Sequence, residues 1–283
     1  MQPDNPNVLP LEKNKAIFVN RIAPAFFSHA AHLKMPKLHA VGSQPGAGKS
    51  ALIKAIAGEL EKQFGKDAVV SIIGDDFRSF HPQYGKLLEI DASLAAYYTD
   101  TDSGRWVEQA IELTAQQGNC IIIEGTLRNP ETTTRTVSHY LKHGFAAHLY
   151  VPAVHEFVSR TRIFSRYFDQ IECTGQGRYT LPEAHDRSYK VLPESVVTLT
   201  ESSLFKTVSL YDQDQKSILA VNLPGKHAVG EVSAVLEKYS DNKHVNIAEI
   251  LLTIDSLLPK AKGHGRIDTD LQELRKTVSS CGI

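Results

Sequence analysis

At 283 residues, with 42% apolar side chains and a formal net charge of −1, the chain can build one α/β domain with an appendage. It carries no overall charge that would draw it to nucleic acid or to an anionic membrane. Met1–Pro10 lacks the basic-then-apolar pattern of a signal peptide, no uncharged apolar run reaches the roughly 18 residues of a membrane span, and three cysteines (Cys120, Cys173, Cys281) without metal-type spacing suit a reduced, cytoplasmic protein.

Taken in order, Met1–Pro10 is expected to be flexible, with prolines at positions 3, 6 and 10. Leu11–Leu33 repeats apolar residues at helical spacing, with a break near Pro24. Lys37–Gly42 reads as a buried strand and Ser50–Phe64 as an amphipathic helix. Ala68–Ile73 is a second apolar strand, running into Gly74-Asp75-Asp76. A helix is predicted over Gly104–Gln117, stopped by Gly118-Asn119. Cys120–Ile123 is a third strand ending on Glu124-Gly125-Thr126, and Asn129-Pro130 opens a helix that closes near His143-Gly144.

Ala146–Val151 is a fourth strand, followed by a helix over about Pro152–Asp169 and a mobile loop over Ile171–Tyr179. Beyond a helical stretch from Leu181, Phe205–Leu210 and Ile218–Val221 read as strands either side of Asp212-Gln213-Asp214. After Pro224-Gly225, short helices are predicted over Val229–Tyr239, Val245–Leu258 and Leu271–Val278. Continuous apolar strands alternating with helices imply an α/β fold with a mostly parallel sheet covered on both faces. The expected organisation is a flexible 1–10, a P-loop domain over 11–225 with a lid near 165–180, and a C-terminal helical extension over 226–283.

Ser43-Gln44-Pro45-Gly46-Ala47-Gly48-Lys49-Ser50 lies between the first strand and the helix after it. It matches the phosphate-loop pattern except that Ser43 takes the place of the first glycine. Gly46 and Gly48 let the backbone wrap an anion, the helix N-terminus faces the same phosphates, Lys49 would span the β- and γ-phosphates, and Ser50 would offer its hydroxyl to Mg²⁺. ATP or GTP with Mg²⁺ is therefore the expected cofactor set, and phosphoryl transfer the expected chemistry.

Open parallel sheets bind ligands at the carboxyl ends of their strands, where Asp75, Asp76 and Glu124 fall here. Glu124 is placed to orient the metal or its waters, and Asp75 or Asp76 is the natural base for a hydroxyl acceptor. Arg78, Arg105, Arg128, Arg160, Arg162, Arg166 and Arg178 fall in or beside the same crevice elements. Arg166 and Arg178 stand out because they bracket the Gly-containing loop after the fourth strand, where charge can close over a γ-phosphate.

Several motifs in order resemble the zeta-toxin family of P-loop kinases. They are Gln44–Ser50, Asp75-Asp76-Phe77-Arg78 with His81-Pro82, Ile123-Glu124-Gly125-Thr126-Leu127-Arg128, Ser165-Arg166-Tyr167, and Gly177-Arg178-Tyr179-Thr180 leading to Ala184-His185-Asp186. The resemblance covers about Leu11–Leu223. It implies phosphorylation of the 3′-hydroxyl of UDP-N-acetylglucosamine or a related UDP-sugar, which would stall cell-wall precursor synthesis. It also implies a small epsilon-like antitoxin as partner. Position by position, it makes Asp75 the base, Lys49 the phosphate-loop lysine, Glu124 the carboxylate near the metal and Arg166 and Arg178 the γ-phosphate arginines. Arg105, Glu108, Thr126 and Arg128 would bind the UDP-sugar. The chain departs from the family at Ser43, at Asp76, where a small hydroxyl residue is common, and in the tail after Gly225.

Other acceptors compatible with the residues are an NAD-like nucleotide, an antibiotic hydroxyl or a polynucleotide 5′ end, the last disfavoured for want of a basic stripe with interleaved aromatics. A non-catalytic nucleotide switch is a different class of reading, which the combination of Asp75, Arg166 and Arg178 argues against. Leu11–Leu33 is expected to pack against the domain rather than to inhibit it.

Overall fold

The computed structural model describes residues 5–90 and 92–281. Its strands are β1 (Lys37–Gly42), β2 (Val69–Ile72), β3 (Cys120–Gly125), β4 (Ala146–Pro152), β5 (Thr207–Tyr211) and β6 (Ser217–Asn222), in the spatial order β2-β3-β1-β4-β5-β6. The first five run parallel, and β6 returns antiparallel along β5 as an edge strand. The helices are α1 (Leu11–Ile17), α2 (Ala23–Phe26), α3 (Lys49–Phe64), α4 (Gly74–Phe77), α5 (Tyr84–Ile90), α6 (Ala92–Gln117), α7 (Pro130–Lys142), α8 (Glu156–Thr174), α9 (Pro182–Glu201), α10 (Ala228–Ser240), α11 (Ile247–Ala261) and α12 (Arg266–Cys281). This is the α/β P-loop-type fold expected from the strand pattern. Among the described residues, no helix is long and apolar enough to cross a membrane.

Successive strand side chains face opposite ways, so the apolar runs feed two cores. Val41 and Ile122 meet Leu52 and Ile56 of α3 on one face. Leu38, Ile121 and Leu149 meet Trp106, Tyr140 and Leu199 from α6, α7 and α9 on the other. α10 joins this second core through Ala228, Val232 and Leu236. The α11–α12 hairpin packs elsewhere, against α8.

The register aligns the strand ends that matter. Val41 lies beside Glu124 and Gly42 beside Gly125, while Ile72 lies beside Ile123. The chain leaves β1 for β2 on one side and reaches β4 on the other, so the crevice above β1 and β3 is the topological switch point of the sheet.

Several boundaries differ from those the sequence predicts. The part of Met1–Pro10 before Asn5 lies outside the described residues, but Asn5–Pro10 is tied down. Asn5 Nδ2 donates to Tyr98 O (2.9 Å) and Leu9 N to Asp102 Oδ2 (3.0 Å). The break expected near Pro24 is a π-helical turn over Phe18–Ile22, just ahead of the proline ring that a regular α-turn would crowd, and the helix ends at Phe26. α6 begins at Ala92 rather than near Gly104. α8 starts at Glu156, not Pro152, because β4 runs through Pro152 and His155 caps the helix by accepting from Phe157 N. The mobile loop expected from Ile171 is helix until Thr174, and Gly175 ends it with φ +74°.

Candidate active site

The phosphate loop is fastened to the sheet by its own side chains. Ser43 is fully buried; its hydroxyl reaches Pro152 O (2.8 Å) and Gln44 Oε1 (2.6 Å). Ser43 is not among the non-glycine residues at positive φ, so the missing glycine costs no backbone strain. The demand for glycine sits one residue earlier, since a Cβ on Gly42 would run into the side chain of Leu127. Gly46, at φ +79°, is required for a second reason: a Cβ there would collide with the carbonyl of Ser159 on α8.

Behind the loop a buried chain of polar groups supports Gln44. Gln44 Nε2 donates to Val154 O (2.7 Å) and reaches Ser159 Oγ (3.3 Å), which pairs with His185 Nε2 (2.8 Å). His185 Nδ1 meets Asp186 Oδ1 (3.0 Å), which also accepts from Arg160. Burial lowers the His185 pKa against the opposing pull of Asp186. The Ala184-His185-Asp186 motif therefore bears on the loop through α8. Arg160 belongs to this support.

Lys49, buried at the start of α3, donates to Ser43 O (2.9 Å) and Gln44 O (3.1 Å) and stands 3.6 Å from Glu124 Oε1. Burial pulls the Lys49 pKa down and pushes that of Glu124 up, and each partner's charge partly restores the other. Ser50 is exposed on the first turn of α3. No cluster of three or more His, Cys, Asp or Glu side chains fit to hold a metal occurs among the described residues. A Mg²⁺ ion here would take Ser50 and Glu124 from the protein and its remaining oxygens from nucleotide and water, the usual arrangement for this cation.

Asp75 sits on α4 just past the end of β2, between two arginines. Arg78 Nε donates to Asp75 Oδ1 (2.8 Å), and Arg178 pairs with Asp75 Oδ2. Arg78 is itself fixed to α6 through Ala96 O (2.6 Å) and Asp100 (2.7 Å). Burial works to raise the Asp75 pKa, but Arg178 and Arg78 outweigh it and hold the carboxyl below its ordinary value. Asp76 is exposed and shifted the other way, by desolvation and by the charge of Asp75. The arginine pair thus bonds to Asp75.

Arg166 donates to Thr180 Oγ1 (3.1 Å), while its Nε is buried with no hydrogen-bond partner. Burial, reinforced by Arg178, lowers its pKa to about 10, so it stays cationic at neutral pH. Asp75, Glu124 and Arg166 each act electrostatically on Lys49, and Arg178 acts on Asp75, Glu124 and Arg166. A guanidinium with a buried, unmet N–H is a fit for phosphate oxygens.

Of the four positions expected at the UDP-sugar, Arg105 has other partners: its Nη1 donates to Leu9 O (3.0 Å) and lies 3.3 Å from buried Asp102. Asp102 also accepts from Asn14 Nδ2 (2.8 Å), and Trp106 Nε1 donates to Asn14 O (2.9 Å). Arg105 thereby latches the N-terminal segment to α6. Glu108 and Arg128 are exposed, and Arg128 Nε donates to Thr126 Oγ1 (3.0 Å) beside the end of β3.

The sequence reading missed Gln215. It stands on the β5–β6 turn at φ +63°, with its Nε2 2.8 Å from where a Cβ on Gly48 would lie. Arg162 reaches the same spot and donates to Gln213 O (3.0 Å). Only the polar turn Asp212-Gln213-Asp214 hinted at this neighbour, since turn residues 165 positions away from the phosphate loop carry no local signal.

Comparisons with known proteins bear on the family and the fold. The Zeta toxin family model matches residues 25–223. Toxin zeta of Streptococcus pyogenes is 27% identical over 249 residues, covering 80% of this chain and 85% of the relative. Toxin PezT of Streptococcus pneumoniae is 28% identical over 186 residues, covering 65% of this chain and 72% of the relative. A solved structure from the PezAT chromosomal toxin–antitoxin system of Streptococcus pneumoniae superposes with a TM-score of 0.72 at 22% identity, over 89% of this chain and 99% of that one. A chain of the AvrRxo1-ORF1:AvrRxo1-ORF2 complex with sulphate ions shares the fold at a TM-score of 0.54 and 14% identity, over 94% and 88% of the two chains. With most of its length matched by the family model and its phosphate loop, strand-end carboxylates and arginine loop in one cleft, the chain belongs to the zeta toxin family.

Proposed function

We propose that this chain is a toxin kinase that transfers the γ-phosphoryl group of ATP or GTP to a hydroxyl of a UDP-sugar. UDP-N-acetylglucosamine and its 3′-hydroxyl are the first acceptor to test, and a small epsilon-like protein antitoxin is the partner that would silence it. The observation that carries the reading is the convergence of Lys49, Arg166 and Arg178 with Asp75 at the mouth of the phosphate loop. A nucleotide-binding switch has no use for a carboxylate held by an arginine that a phosphate would compete for. The choice of a UDP-sugar rests on the family, and the antitoxin on the PezAT neighbour. A cytoplasmic location fits the three free cysteines.

In this reading Gly46, Ala47, Gly48 and the first turn of α3 hold the phosphates, with Gln44 and Pro45 shaping the loop. Lys49 leaves the carbonyls of Ser43 and Gln44 to span the β- and γ-phosphates. Mg²⁺, held from Ser50 and the Glu124 side, would neutralise charge on the bridging oxygens. Thr126, Arg128 and Glu108 are the acceptor-side candidates, with Arg105 acting from its latch on α6. Arg178 is shared: when a γ-phosphate draws it from Asp75, the carboxyl loses one of the two cations that depress its pKa and becomes a better base. The acceptor oxygen then bonds to the γ-phosphorus, its proton passes to Asp75, and the bond to the leaving nucleoside diphosphate breaks.

Incubating the full chain with ATP or GTP, Mg²⁺ and a panel of UDP-sugars, NAD and oligonucleotides tests this by mass spectrometry. The expected result is the gain of one phosphoryl group on a UDP-sugar. Gain on NAD or an oligonucleotide instead overturns the acceptor, and no phosphoryl gain on any acceptor overturns the kinase reading.

A further inference from the structure

The α11–α12 hairpin lies past residue 223, beyond the family-matched segment, and packs away from the sheet. Its apolar faces close on α8 and on the loop that carries Arg178. Ile254, Leu271 and Leu274 are buried with Phe164, Phe168 and Tyr179 in a cluster separate from the two sheet cores. The cluster therefore secures something, and what it encloses is the residue next to Arg178.

The polar contacts converge on the same segment. Tyr179 Oη donates to Asp270 Oδ2 on α12 (2.8 Å). Asp270 is held by Arg266 Nε (3.3 Å), and Arg266 also pairs with Glu183 in the first turn of α9. α12 thus grips the segment on both sides of Leu181. From the opposite side, Arg178 N donates to Gln170 Oε1 of α8 (2.8 Å). Gly177 lies so close to Tyr167 that a Cβ on it would come 2.7 Å from Cδ2 of that ring. The backbone on either side of Arg178 is clamped, while its side chain reaches out to Asp75.

We infer that the α11–α12 hairpin is a brace for the arginine-bearing loop, and that Asp270 is a positioning residue that acts through Tyr179 on Arg178. The inference rests on the reading of Arg178 as a phosphate ligand. A clamped backbone leaves one movement, the swing of the Arg178 side chain from Asp75 to a phosphate. It also sets where that swing ends. Misplacement of a reacting or stabilising group by about 1 Å costs on the order of 10²-fold in rate, so a brace over ninety residues away in sequence has a direct effect on turnover. Burial and the bond to Asp270 raise the Tyr179 pKa, which keeps the phenol a donor.

The test uses the full chain with Asp270→Ala and Asp270→Asn, the second retaining an acceptor for the phenol. Two readouts are taken: kcat and nucleotide KM for phosphoryl transfer, and amide hydrogen exchange across Gly175–Leu181. Asp270→Ala is expected to lower kcat on the order of 10-fold with nucleotide KM unchanged, and to speed exchange in that loop but not in the phosphate loop. Asp270→Asn is expected to restore both. Unchanged loop exchange in Asp270→Ala, or an Asn variant as impaired as Ala, overturns the brace. If Asp270→Ala does not fold, Tyr179→Phe, which removes one oxygen, is expected to give the same two changes, and their absence overturns the brace equally. A wild-type chain that transfers no phosphoryl group refutes the kinase reading alone, because the exchange measurement still decides the brace.

Discussion

The two halves of the cleft are built on different principles. The phosphate loop is tied to itself and to the sheet: Lys49 bonds back to its own loop's carbonyls, and Ser43 and Gln44 bond to Pro152 O and Val154 O at the end of β4. The arginine loop is tied instead to three helices, α4, α8 and α12. Tyr179 and Asp270 are 91 positions apart, and Arg178 and Asp75 are 103 apart. A loop anchored to buried strand ends keeps its form with or without ligand, which suits a phosphate cradle. One held from three separate elements can present a side chain at an exact distance and still let it move, which suits a group that engages only in the transition state.

Changes on the phosphate-loop side should strike chemistry hardest. Lys49→Ala removes a cation aimed at the phosphates and is expected to lower turnover by about 10³-fold in a phosphoryl-transfer assay. Turnover near wild type would mean that the loop does not serve the reaction. On the braced side, Leu271→Ala opens a cavity in the α8–α12 cluster. It is expected to cost about 3 kcal/mol by denaturant unfolding and to reduce kcat while nucleotide affinity holds. Loss of nucleotide affinity instead would mean that the two halves are one unit.

Smaller effects sharpen the border between site and scaffold. Arg105→Ala unfastens the N-terminal segment and is expected to cost about 1 kcal/mol of stability, with little change in acceptor KM. A large rise in that KM would return Arg105 to the substrate side. The pH dependence separates the two carboxylates. Asp75 is held below its ordinary pKa, so it stays ionised as pH falls and loses its charge only in strong acid. Glu124 is raised, so its ionised form is present only above that raised value and disappears first on acidification. In metal-free nucleotide binding the acid limb should therefore follow Glu124, and Glu124→Gln should abolish the limb. A limb that persists in that variant would assign it to another group.

Much of this arrangement was legible in the sequence because it is periodic or contiguous. The apolar strands, the phosphate loop and the carboxylates at strand ends all follow from local pattern and from where parallel sheets bind ligands. The start of α6 was not, since Thr99, Asp102 and Ser103 look like loop residues. They are helical because their polar groups are spent on tertiary or backbone bonds: Thr99 to Ala95 O (2.6 Å), Ser103 to Gly74 O (2.5 Å), and Asp102 to the N-terminal segment. The pairing of Asp75 with Arg178 also needed the fold, because the two lie 103 positions apart. The blemish at Ser43 resolves in the same way. Its hydroxyl does the tethering, and the space that only glycine leaves is at Gly42.

The central claim is that Asp75 takes the acceptor's proton while Arg178 moves from it to the phosphate. Asp75→Asn tests it most directly, measured as single-turnover phosphoryl transfer alongside nucleotide binding by titration. The account predicts transfer lowered by about 10²–10⁴-fold, the usual worth of a general base, with nucleotide binding retained or tighter because Arg178 is released. Transfer at the wild-type rate would contradict it.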